Sequence, residues 1–137
     1  MTQEQAKREL SQIKEMGHDV KDVDREIERL MTIATKMTTS YEPINTGGGH
    51  SNRLEEAVIK IEDYRSRLSK LLLEDLEHRN RCMAKVQQIG SRTLRMVLIY
   101  YYFMDLTMEK TAERMKKSYR WTYELFLSAL DEYAQIS

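Results

Sequence analysis

Residues 92–133 read RTLRMVLIYYYFMDLTMEKTAERMKKSYRWTYELFLSALDEY. The spacing of apolar residues and breaks predicts three helices, at 92–104, 108–115 and 119–133, the last two forming a helix-turn-helix. Thr107 and Ser118 stand just ahead of the second and third helices. There a side-chain oxygen can accept a hydrogen bond from a backbone N–H two or three residues on. Ala112 falls in the middle of the short helix, where two closely crossing helices need a small side chain. Leu125, Ala129, Leu130 and Tyr133 recur at helical spacing and predict a buried face. Tyr119, Arg120, Tyr123 and Glu124 fall elsewhere on that helix, free to meet a partner.

Moving toward the N-terminus, residues 13–37 keep a heptad. Ile13, Val20, Ile27 and Ala34 take one seam position, and Met16, Val23, Leu30 and Met37 take the other. Gly17-His18 interrupts good helix formers, but the phase continues across it, so one helix is expected. Pro43 and the run Gly47-Gly48-Gly49 predict a flexible connector over 40–52. No GK[ST] sequence follows the glycines, so they do not read as a phosphate loop. Ser51 or Asn52, with Glu55, predicts the start of a second long helix over about 53–89. Its seam runs Leu54, Ala57, Ile61, Tyr64, Leu68 and Leu71, then slips through Leu72 and Leu76 to Met83, Val86 and Ile89. Gly90-Ser91 is a natural hinge. The expected fold is all-α: a long antiparallel, coiled-coil-like helical hairpin over 1–90, then a three-helix module with the helix-turn-helix over 91–137. Two seams make a thin core, so a further partner is expected, either the C-terminal module or a second chain; a homodimer or higher oligomer would also suit a symmetric DNA site.

The chain has 137 residues, of which 32% are charged, with a formal net charge of zero. That excludes a protein held to polyanions by bulk charge. Between residues 110 and 120, however, Lys110, Arg114, Lys116, Lys117 and Arg120 face only Glu113, a local excess of four positive charges. A single cysteine, Cys82, excludes an intramolecular disulfide and a cysteine-based zinc site. The first residues, MTQEQAKREL, carry no apolar signal segment, and the run from Met96 to Met104 falls far short of the ~20 residues of a membrane span. The cytoplasm is the expected location.

Catalytic and metal-binding patterns are lacking, and no enzyme activity, cofactor or metal is expected. His18, His50 and His78 lie far apart and read as surface residues. Asp75-x-x-His78 has no counterpart on another segment, so Glu74, Asp75, Glu77 and His78 read as a solvated helix face. Tyr100-Tyr101-Tyr102-Phe103 covers every side of its helix, with Tyr102 and Phe103 assigned to the core. Trp121 has two readings: contact with a thymine methyl or sugar in a DNA groove, or closure of the small core beside polar Thr122.

These residues carry a resemblance. Leu98, Tyr102, Thr107-Met108-Glu109, Ala112, Ser118-Tyr119-Arg120 and Ser128-Ala129-Leu130 are similar to region 4 of bacterial sigma factors, which reads the promoter −35 element in the major groove. With Leu30-Met31-Thr32-Ile33-Ala34 and Thr38-Thr39-Ser40-Tyr41, the whole chain resembles small phage and prophage proteins of Gram-positive bacteria that overlap with ArpU-type late-transcription regulators. The chain departs from the module at Thr111, Lys117 and Thr122, where aliphatic residues are usual. It departs again at Lys116, often Gly or Asp, and at Tyr119 and Tyr123, often Arg.

The resemblance implies a sequence-specific, double-stranded-DNA-binding transcription regulator, with host RNA polymerase as a further partner. No segment resembles the sigma region that opens the −10 element, so it is not expected to start transcription alone. Tyr119, Arg120, Tyr123 and Glu124 are the expected base-facing residues, with Trp121 beside them. Lys110, Lys116, Lys117 and Ser118 are the expected phosphate contacts. Two alternatives stay open: a DNA-packaging protein like a terminase small subunit, and a helical interaction scaffold that binds no DNA.

Overall fold

A computed structural model describes residues 1–39 and 49–136. It is all-helical: a long N-terminal helical pair, α1 (Gln3–Thr39) and α2 (Gly49–Val86), precedes α3 (Arg92–Leu98), α4 (Met108–Met115) and α5 (Tyr119–Gln135). Ile99–Phe103 continues α3 as a π-helical turn. The expected connector falls outside the described residues over 40–48. Its last residues already belong to α2, so Ser51 and Asn52 lie within a helix rather than ahead of one. No helix among the described residues is long and apolar enough to cross a membrane.

The chain divides into two compact units, residues 18–74 and residues 1–17 with 75–137. In the first, Ile27 and Leu30 of α1 and Ala57 and Ile61 of α2 are buried, and Arg65 of α2 reaches Met31 of α1. These are the heptad positions of both helices. Val20, Val23, Leu54, Tyr64 and Leu68 complete the seam half-buried, as expected for helices that expose more surface than they cover.

In the second unit, the start of α1 and the end of α2 share one core with α3 and α5. Ala6, Leu10 and Ile13 join Cys82, Val86, Ile89, Val97, Leu98, Phe126, Leu130 and Tyr133 in a single cluster. Leu10 is fully buried, a contribution of about 1.5–3 kcal/mol relative to an exposed side chain. The N-terminal ammonium donates to the Ala134 carbonyl at 3.1 Å and the Gln3 amide to that of Leu127 at 3.2 Å, so α1 also grips α5 through polar contacts.

Of the expected slip of the α2 seam, the end is present, with Val86 and Ile89 buried and Met83 packed against the core, but the path to it is not. Leu72 and Leu76 are 47% and 55% exposed. The heptad instead continues in register through Asp75, His78, Cys82, Lys85 and Ile89, each buried or half-buried. Those polar seam residues find partners. Asp75 pairs with Arg79 at 3.0 Å, and Lys85 pairs with Glu9 of α1 at 3.1 Å. The His78 imidazole meets the Glu9 carbonyl at 2.8 Å. A carbonyl only accepts, so Nε2 carries the proton. His78 is therefore a core residue, not the surface residue expected, and Asp75 is no solvated side chain.

Gly90-Ser91 is fastened rather than loose. Arg95 donates to the carbonyls of Ile89 at 2.6 Å and Gly90 at 3.1 Å, and Ser91 caps α3 by accepting from Leu94 N at 3.4 Å. The α-helix expected to reach 104 changes at Ile99, where the Met104 N–H reaches back five residues to the Ile99 carbonyl. The widened turn lets both Tyr101 and Tyr102 meet Phe126, at 5.0 and 5.8 Å between ring centroids. Tyr102 is buried and Phe103 half-buried against the core.

Candidate nucleic-acid interface

Four local devices frame α4 and its turn into α5. Asp105, left-handed at φ 54°, ends the π turn. Thr107 then opens α4, its hydroxyl accepting from Lys110 N at 3.2 Å. Lys116 closes α4 in the left-handed conformation, φ 57° and ψ 41°, with its N–H on the Glu113 carbonyl and that of Lys117 on Ala112. Ser118 opens α5 by accepting from Trp121 N at 3.1 Å. Both sequence-expected caps are thus present, and Ala112 is buried in the crossing.

Thr111 and Thr122 occupy interior positions with no exposed surface. Each hydroxyl donates to the carbonyl four residues back: Thr111 to Thr107 at 2.9 Å, Thr122 to Ser118 at 2.8 Å. The polar atom is satisfied within its own helix, and the methyl group is left to pack. Threonine therefore closes this small core where an aliphatic residue was expected. Lys117, at the third such position, stays exposed. On α5 the buried face is Thr122, Phe126, Ala129, Leu130, Tyr133 and Ala134. Leu125, assigned to that face by spacing, is only half-buried at its edge.

Lys110, Lys116, Lys117, Ser118, Tyr119, Arg120, Trp121, Tyr123 and Glu124 are all exposed. Tyr119 and Trp121 are each 52% exposed and Tyr123 44%. Trp121 therefore does not close the core. Arg120 Nε stands 3.8 Å from Glu124 Oε1, with the arginine side chain 92% exposed. Such an i, i+4 pair in water is weak and yields easily to a stronger anion. On the helical wheel Tyr119 and Tyr123 flank this pair on one side and Trp121 on the other.

One further basic residue belongs here. Arg114 follows Lys110 by one turn, and with Leu106 and Glu113 they line a recess of about 340 Å³. The Arg114 guanidinium lies 5.8 Å from the Tyr100 ring. The i, i+4 spacing of Lys110 and Arg114 was the signal for it.

Cys82 and His78 form a pair at 3.5 Å, but it lacks the arrangement of a nucleophile and its base. His78 Nε2 is committed to a carbonyl, Cys82 is fully buried, and burial pushes its thiol above the ordinary value. No cluster of metal-ligating side chains occurs among the described residues. No family model, curated protein or solved structure matches the chain.

Proposed function

We propose that this chain is a sequence-specific DNA-binding transcription regulator of the phage type, with α5 entering the major groove. The observation that carries this reading is the exposed cationic corner. Lys110, Arg114, Lys116, Lys117 and Arg120 surround a doubly capped turn whose second helix presents Tyr119, Arg120, Tyr123 and Glu124 outward. Lys110, Lys116, Lys117 and the Ser118 hydroxyl would hold phosphates, and the α5 residues would meet base edges. RNA polymerase as a partner rests on the resemblance to sigma region 4 alone.

The regulator would act as a homodimer. Val58 and Leu72 of α2 are separated by two heptads, as are Ile59 and Leu73, and all four are exposed off the α1 seam. A second copy covering them would bring two helix-turn-helix units into one particle, the number that a symmetric DNA site takes.

A salt titration against random-sequence duplex tests the DNA reading. The logarithm of the binding constant should fall linearly with the logarithm of salt, Lys117→Ala should reduce the slope by about one, and Arg120→Ala should weaken binding. Absence of salt-dependent association at low ionic strength would overturn it and leave the scaffold.

A further inference from the structure

We infer that α5 selects A·T-rich DNA by covering thymine C5-methyl groups with Trp121, Tyr119 and Tyr123. This rests on the DNA-binding reading above and names what the helix reads. Three large aromatic side chains stand exposed within the first five residues of one helix. Tyr123 leans toward Phe126, with 6.1 Å between ring centroids. Neither Tyr119 nor Trp121 stacks on another ring among the described residues. Each ring leaves apolar surface in water beside its hydroxyl or indole N–H, surface that an apolar group on a partner could cover.

The floor of the major groove offers few apolar groups. Its edges are hydrogen-bond donors and acceptors, except for the thymine methyl. The charge of the corner favours a polyanion over an apolar protein surface: five basic residues against Glu113 border the same turn. Arg120 is the sole side chain among these α5 residues suited to the paired acceptors of guanine. One side chain suited to guanine thus stands among three suited to thymine methyls.

Removing only the methyl tests this. Duplexes of about 30 bp, made of A·T pairs, would be compared with the same sequences carrying deoxyuridine for thymidine, and with G·C duplexes. Loss of affinity should be about fourfold for each methyl covered, so more than tenfold for two. Trp121→Ala and Tyr123→Ala should shrink the thymine–uracil difference while leaving the salt slope intact, since neither residue carries charge. Both side chains are substantially exposed, and helical circular dichroism reports whether each variant has folded. Equal affinity for thymine and uracil duplexes, with salt-dependent binding retained, overturns this inference and leaves the proposed function standing. So does a thymine preference that survives both substitutions, or tighter binding to single strands than to duplex. No binding to any duplex would instead sink the function on which it rests.

Discussion

Tyr133 of α5 donates its hydroxyl to the Glu9 carboxylate of α1 across 3.1 Å, and the same Glu9 Oε2 accepts from Lys85 of α2 at 3.1 Å. One carboxylate therefore serves three helices. Tyr133→Phe removes one neutral donor and should cost about 1 kcal/mol. Glu9→Ala leaves a lysine and a buried phenol without their acceptor and should cost about 2–3 kcal/mol. Urea denaturation of the two variants gives the order. If Glu9→Ala proves the milder change, the carboxylate is not the hub of this contact.

Alkaline pH should destabilise the fold through Tyr102 and Tyr133. Burial raises both phenols, with Tyr101 adding to it at Tyr102, and Cys82 and Glu9 at Tyr133. An exposed tyrosine in the unfolded chain ionises near pH 10. Below that value both states hold the proton and the stabilising difference is complete. As the pH rises further, only the unfolded chain releases it, so stability falls. Tyr133→Phe and Tyr102→Phe should each flatten the decline in melting temperature. Tyr102→Phe should cost little at neutral pH, because its hydroxyl, with Ser11 beside it, completes no hydrogen bond.

Lys116→Gly separates the structural from the electrostatic role of the turn. At φ 57° a lysine is strained where glycine is not, so the substitution should raise stability by about 1 kcal/mol. It also removes one charge from the corner, and DNA affinity should fall while the melting temperature rises. Both falling together would mean that the turn depends on the lysine side chain itself.

What could be read from the residues, and what could not, follows from where the information lies. Thr107, Ala112 and Ser118 declare the helix-turn-helix because caps and close crossings are local events with few chemical solutions. The seam at Ile27, Leu30, Ala57 and Ile61 was legible for the same reason: its positions are apolar. The lower seam was not. Asp75, His78 and Lys85 look like solvent-facing residues until Arg79 and Glu9 stand beside them, and Glu9 is distant in sequence from the groups it satisfies. The apolar Leu72 and Leu76 then drew the expected stripe to the wrong face. The π turn was equally hidden, since it answers to Phe126 across the core. Exposure of Tyr119, Arg120, Tyr123 and Glu124 could be anticipated from their place off the buried face of α5. For Trp121 the core-closing reading fell away only once Thr122 was found filling the interior.

Association should depend on the off-seam face of α2. Ile59 is 60% and Leu73 57% exposed, so placing a charge there disturbs no interior contact of a single chain. Ile59→Glu and Leu73→Glu should leave helicity unchanged and convert a sedimenting dimer to a monomer. Loss of helicity in the wild-type buffer, or a wild type that sediments as a monomer, would place the dimer contact elsewhere or remove it.

The bond between Glu9 and Tyr133 joins groups 124 residues apart. On a ribosome adding about 5–20 residues per second, the first turns of α1 wait on the order of ten seconds for α5 to emerge. Until then Leu10 and Ile13 have no lid, and the nascent chain carries an uncovered apolar strip that chaperones can hold.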